Sequence, residues 1–340
     1  MKNVNIIFEY NNEGNSDILY SGITYYESNK FDHIEITNRS ITISGSRGNK
    51  VNEENILTNT KSTFYEQLLK GIVYVYLSEG KRFKLGNVTV KCGEKEKKYE
   101  SIEVLNPCMR DLDCNLIIQR TECEKIFSNS EKVKELLIAM ISFIKGCENN
   151  DFDFLWKAFN SLYTCISGRD KEFEKLVDMK NFIQHNRMSM IKVTNKIDND
   201  TMDDIRSFRI REFILNNFED IGKTEAYANM VKSFSDYRMS QLFNEVMCYR
   251  EDNLKHANLF SDVQNHITKC INRNQKDNID LVRFYVLKYA YFLRNKYFHA
   301  EKSTPVFVLK KNNEIEEIEK INSVLKCLLS DLFNCCHLYV

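Results

Sequence analysis

Tyr291-Phe292-Leu293-Arg294-Asn295-Lys296-Tyr297-Phe298-His299-Ala300 closes a long apolar pattern that starts at Ile279, and it precedes Pro305, one of only two prolines in the chain. The spacing of apolar and aromatic positions over 279–293 predicts a central core helix. Its end carries an arginine, an adjacent amide and a histidine. Arginine offers a rigid cationic fork that matches phosphate oxygens, and histidine exchanges a proton near neutral pH. Together they suit chemistry at a phosphodiester that needs no metal.

The spacing constrains how they work. On a straight helix, positions 294 and 299 lie about 140° apart around the axis and about 7.5 Å apart along it. They cannot converge on one phosphate, whereas Asn295 and His299 share a face. Either the helix deforms at the motif, or a second copy of the chain supplies its own Arg294 and His299. The second solution predicts a homodimer with the site on a two-fold axis.

The stretch Arg294-Asn295-Lys296-Tyr297-Phe298-His299, followed by Ala300-Glu301-Lys302, resembles the signature of the HEPN superfamily: arginine, a polar residue, a short gap, histidine. Ala300 stands where glycine is common. Leu155-Trp156-Lys157-Ala158-Phe159-Asn160-Ser161-Leu162-Tyr163 is similar to an early helix of the same superfamily. The resemblance covers roughly residues 131–340 and is silent about 1–105. It implies metal-independent RNA cleavage, in which a ribose 2′-hydroxyl attacks the adjacent phosphate and leaves a 2′,3′-cyclic phosphate and a 5′-hydroxyl. His299 would transfer the proton, Arg294 would stabilise the charge growing on phosphorus, and Asn295 would orient the imidazole or hold a phosphate oxygen. Lys296, Lys302 and Tyr297 would contact the RNA. No cofactor and no metal are implied.

Composition narrows the partners. The 340 residues carry 48 Lys or Arg and 48 Asp or Glu, so no global field draws the chain to nucleic acid, and RNA contact must come from a local patch. Eleven cysteines are scattered without a Cys-x-x-Cys hook, and Cys108, Cys114 and Cys123 have no histidine near them, which argues against structural zinc. Met1-Lys2-Asn3-Val4 runs directly into strand-like sequence, and no apolar run reaches the roughly 20 residues of a membrane span. Free thiols with neither signal nor span predict a reducing, cytoplasmic setting.

Glycine marks the organisation: ten of eleven precede position 169 and none follows Gly222. Long helices are expected where glycine and proline are scarce. Residues 1–105 read as a small α+β domain, with short strands near 4–10, 22–26 and 87–91 and a hairpin of 33–37 and 40–44 around Asn38-Arg39. A helix is expected over 63–77, with Ser62 or Thr63 as its cap and Glu66 completing a capping box. A further strand is expected at 99–104. Residues 106–130 read as a connector, and 131–340 as helices: one ended by Gly146, one capped by Asp151 or Asp153 and stopped by Gly168, one continuous from 237 to 271, and a last one over 315–332. Asp198, Asp200, Asp203 and Asp204 read as a helix start rather than a calcium loop, because the loop glycine and terminal glutamate are missing.

The fold expected is therefore an α+β N-terminal domain followed by an all-α, HEPN-like helical bundle with inserted helices. The function expected is that of a dimeric endoribonuclease, similar to prokaryotic toxin and anti-phage defence effectors. The N-terminal domain would act as sensor or regulator for a trigger or inhibitor partner. A competing reading makes the helical part a non-catalytic module that dimerises or binds nucleotide or RNA.

Overall fold

The computed structural model of the chain describes residues 2–11, 16–48, 51, 54–298 and 312–340. The chain packs as two compact units, Met1–Arg169 together with Leu332–Val340, and Asp170–Asp331.

The first unit is built on six antiparallel strands: β1 (Lys2–Tyr10), β2 (Ile18–Glu27), β3 (Lys30–Thr37), β4 (Ser40–Arg47), β5 (Leu85–Cys92) and β6 (Lys95–Tyr99), in the order β2-β3-β4-β1-β5-β6. The β3–β4 hairpin turns at Asn38-Arg39 and pairs Ile36 with Ile41 and Ile34 with Ile43, as the alternation predicts. These four isoleucines, with Ile6, Phe8, Val88 and Val90, are buried on one face. That face receives helix α1 (Thr63–Glu79), whose Gly71 sits so close to the sheet that a Cβ there would lie 2.7 Å from Ile41 Cγ2. The opposite face, with His33, Glu35 and Lys91, stays in solvent.

Polar side chains lock α1 to the sheet. Arg47 donates from Nη1 and Nη2 to Asp32 at 2.7 Å each and from Nε to Thr63 Oγ1 at 3.0 Å, with its guanidinium against the rings of Tyr26 and Phe64. Ser62 makes no side-chain cap bond, so the expected capping box is absent. The edge strand β2 is covered along its carbonyls: Leu19 O accepts from Tyr74 Oη, and Tyr25 O from Gln67 Nε2 and Lys70 Nζ. The other edge, β6, carries three lysines in five residues. Both devices oppose sheet-to-sheet association. The strand expected at 99–104 is instead β6 followed by a 3-10 turn, Ser101–Glu103.

A short helix α2 (Arg120–Cys123) leads to α3 (Val133–Asn149) and α4 (Phe152–Ser167), which pack against each other. Asp151 caps α4 by accepting from Asp153 N and Phe154 N, and Gly168 ends it at φ 64°. Gly146 does not end α3. The helix runs on to Asn149, with Asn150 in the left-handed region at φ 51°. A Cβ on Gly146 would lie 2.7 Å from Leu155, so the glycine lets the two helices approach.

The stretch 106–130 is tied down rather than loose. Phe83 N–H donates to Cys108 O, Leu112 N–H to Gly80 O and Ile118 N–H to Leu77 O, while Met109 and Arg110 N–H both donate to Glu148 Oε1. The C-terminal residues join the same unit, where His337 donates its N–H to Glu122 Oε2 and places Nδ1 2.8 Å from Oε1. The unit boundary thus falls at 169/170 and not within the expected connector, because these bonds and the α3–α4 pair belong with the sheet.

The second unit is helical: α5 (Glu172–His185), α6 (Ile191–Ile197), α7 (Met202–Arg206), α8 (Ile210–Asn217), α9 (Thr224–Lys232), α10 (Tyr237–Val246), α11 (Glu251–His256), α12 (Phe260–Arg273), α13 (Asn278–Arg283), a π-helix (Phe284–Ala290), α14 (Tyr291–Phe298) and α15 (Asn313–Phe333). The single helix expected over 237–271 is broken by a 3-10 turn at Met247–Arg250 and by Asn258 at φ 56°. Thr201 and Asp204 form the capping box of α7, so the acidic stretch does start a helix. At the centre, the fully buried Arg238 donates to the fully buried Asp236, Nε to Oδ1 at 3.1 Å and Nη2 to Oδ2 at 2.8 Å. It also donates to Asp200 O and Asn278 Oδ1. An antiparallel sheet with its helix, followed by a mostly helical region, is the α+β-then-helical order expected.

Candidate functional site

The motif lies on the helix that runs from Asn278 to Phe298. Asp277 starts it by accepting from Ile279 N and Asp280 N. Phe284, Tyr285, Tyr289, Phe292 and Leu293 are all buried, which makes this a core helix as expected. Buried tyrosines need hydroxyl partners: Tyr285 Oη donates to Asp200 Oδ2 at 2.9 Å, and Tyr289 Oη accepts from Arg209 N at 3.0 Å. Between Phe284 and Ala290 the helix takes the wider π form. Each π turn takes an extra residue, so this stretch changes the face on which the following residues emerge. The deformation therefore precedes the motif, while Tyr291–Phe298 is regular α-helix.

Arg294 is 24 % exposed; its Nη1 donates to Asn295 Oδ1 at 3.0 Å, and its Nη2 lies 4.0 Å from Glu172 Oε1 on α5. The guanidinium carbon sits 5.9 Å from the Tyr291 ring centre. Lys296 is half-buried, with Nζ 6.0 Å from the Phe292 ring centre. Tyr297 is 9 % exposed, with the Arg209 guanidinium near its hydroxyl. Burial raises the Tyr297 pKa, with the nearby Arg209 cation opposing that rise. A ring so covered offers no open face to a base. His299 and Lys302 lie outside the described residues, as do Ala300 and Pro305.

Two features beside the motif had no sequence signal. Arg209 donates from N and Nε to Glu317 at 2.7 and 2.8 Å and from Nη1 to Glu314 at 2.7 Å, joining α15 to the start of α8. Burial raises the Glu317 carboxyl pKa, and Arg209 only partly offsets it. These partners are more than 100 residues apart in the chain, where periodicity carries no information. The second is not the α5 helix but its placement along the motif helix: Glu172 is near Arg294, and Gln184 Oε1 accepts from Arg283 Nη1 at 3.5 Å. This helix leaves Phe173 77 % and Val177 38 % exposed, one turn apart. Burial and the Arg283 charge lower the Lys180 pKa on the same helix.

The Leu155–Tyr163 stretch, with Trp156, Phe159, Leu162 and Tyr163 buried, forms α4 and belongs to the first unit, whereas Arg294 belongs to the second. A small cavity of about 160 Å³ near Glu317 is lined by Asp204, Glu316, Glu317 and Lys320. Three carboxylates against one lysine make it unfit for phosphate. Among the described residues no group of three His, Cys, Asp or Glu side chains could hold a metal ion, and no helix is long and apolar enough to cross a membrane. No family model, no curated protein and no solved structure matches the chain.

Proposed function

We propose that the chain is a metal-independent endoribonuclease of HEPN type whose site is completed by a second copy. The observation that carries the reading is Arg294: a part-exposed guanidinium, oriented by its neighbour Asn295, at the end of a helix anchored in the core. In this reading Arg294 stabilises the charge on the phosphorane, Asn295 holds the guanidinium in place, and His299 moves the proton. Lys296 and Lys302 add local positive charge. The exposed Phe173 and Val177, next to the Arg294 neighbour Glu172, supply apolar area for a symmetric contact. The first unit then serves as regulator, the protein acts in the cytoplasm, and the setting is toxin or antiviral defence.

The test is cleavage of labelled RNA by the purified full-length protein in EDTA, comparing wild type, Arg294→Ala and His299→Ala and identifying the product ends. Wild-type cleavage to 2′,3′-cyclic phosphate, lost in both variants, supports the reading. A dimeric wild type inert toward every RNA tried would replace it with the non-catalytic binding module. The proximity of Glu172 to Arg294 favours that second reading, because a carboxylate there competes with phosphate.

A further inference from the structure

At one end of the sheet in the first unit lies an open pocket of about 650 Å³, within the range of about 300–1,000 Å³ typical of small-ligand sites. Leu19 and Leu85, both half-buried, give it an apolar side above the buried Tyr10 and Val75. Its wall is the loop from α1 to β5, which brings Lys81, Arg82 and Lys84 to the rim, all exposed. Among the described residues none of these three makes an ion pair. Two carboxylates also line the pocket, and both are engaged. Glu79 Oε1 accepts from Arg120 Nε at 3.0 Å and Nη2 at 2.8 Å, and Asp111 Oδ1 accepts from Arg82 N at 2.8 Å. With Glu79 matched by Arg120, the lining carries a surplus of positive charge.

The walls are held in place before any ligand arrives. Asn11 Oδ1 accepts from Lys84 N at 3.1 Å, Asn38 Oδ1 accepts from Asp17 N at 3.0 Å, and Asn11 N donates to Lys84 O at 2.9 Å. Each amide fixes a neighbouring loop backbone, so the cationic side chains project from a fixed frame. Preorganisation of this kind lowers the entropy lost on binding. The geometry points to a binding site for a small organic phosphate with an apolar part, of the mononucleotide class: the phosphate meets Lys81, Arg82 and Lys84, and the apolar part lies against Leu19 and Leu85. Its residues and readout lie in the first unit, so it stands or falls separately from the ribonuclease reading.

Calorimetric titration of the full-length protein with AMP, pyrophosphate and adenosine at low salt tests it. A Lys81→Gln/Arg82→Gln/Lys84→Gln variant removes the charge but keeps every backbone bond described above. A Lys95→Gln/Lys97→Gln variant on β6 controls for nonspecific attraction. The expected result is that AMP binds wild type and control alike, that adenosine binds more weakly, and that the triple variant loses at least about tenfold in affinity for AMP. Equal AMP affinity in wild type and triple variant would overturn the site, as would absence of AMP and pyrophosphate binding at millimolar concentration. A single-stranded RNA oligonucleotide that binds through these three residues while AMP does not would also overturn it.

Discussion

Arg294 donates from Nη1 to Oδ1 of its own sequence neighbour Asn295 at 3.0 Å. The amide thus acts on the arginine, in a chain whose spacing would equally have allowed it to act on His299. Arg294→Ala should lower RNA cleavage by about 10²–10³-fold through lost charge stabilisation. Arg294→Lys should recover little, because the fork is gone. Asn295→Ala should cost less than Arg294→Ala, because it frees the guanidinium without removing it. Mixing Arg294→Ala chains with His299→Ala chains gives heterodimers that keep one of each group. Their activity should exceed that of either mutant homodimer, and steady-state cleavage rates measure this. A monomeric protein with full activity would refute the shared site.

The buried pair Arg238–Asp236 makes a stability prediction for the helical unit. Removing one partner leaves an uncompensated buried charge, so Asp236→Ala should destabilise by about 3–5 kcal/mol. Replacing both, as Arg238→Met with Asp236→Leu, should recover a large part of that loss. Urea denaturation followed by helical circular dichroism reads both values. A single variant as stable as wild type would show that the pair is not a structural centre.

Asp331 sets a pH dependence. It is 3 % exposed, and burial raises its pKa from 3.8 to about 6, although Lys192 N and Val193 N donate to it. The folded state therefore holds this proton over a pH range where the unfolded chain has released it. The contribution to stability is complete below about pH 4 and is lost as pH rises through about 6. Asp280 and Glu317, also raised by burial, slope the same way. In Asp331→Asn the fall between pH 4 and 7 should shrink by at most about 3 kcal/mol. Denaturation curves across that range should show it, and an unchanged slope would contradict the assignment.

The eleven cysteines are thiols that differ in reactivity. Burial pushes the Cys108 thiol up to about 12 and the Cys165 thiol to about 11, and raises Cys123 and Cys336 as well. Thiolate is the reactive form. In native protein at neutral pH, iodoacetamide should therefore label the exposed Cys114 and Cys248 well before these four. Mass spectrometry after timed quenching gives the order, and early labelling of Cys123 would show that the first unit opens.

Gly146 tests the packing of α3 on α4. Gly146→Ala places a methyl 2.7 Å from Leu155, so it should destabilise by about 1–3 kcal/mol despite alanine's better helix propensity. Pairing it with Leu155→Ala should remove the clash and expose a coupling in a double-mutant cycle. Thermal melts suffice for both, and a stabilised single variant would sink the close-approach argument.

What sequence determined by itself was local. The Asn38-Arg39 hairpin, the Asp151 cap, the Gly168 stop and the helical second half follow from alternation, capping chemistry and glycine scarcity. Those signals act within a few residues of the backbone they shape. Tertiary structure alone decided the rest. Gly146 looks like a stop but is a contact with Leu155, and the 237–271 pattern breaks at Met247–Arg250 and at Asn258. The π stretch ahead of Arg294 carries an ordinary helical pattern, and its wider turns accompany the hydroxyl bonds of Tyr285 to Asp200 and Tyr289 to Arg209. The return of Leu332–Val340 to the first unit, fixed by His337 on Glu122, joins partners 215 residues apart. Such pairings are chosen by burial and hydrogen-bond satisfaction in three dimensions, which no local pattern records.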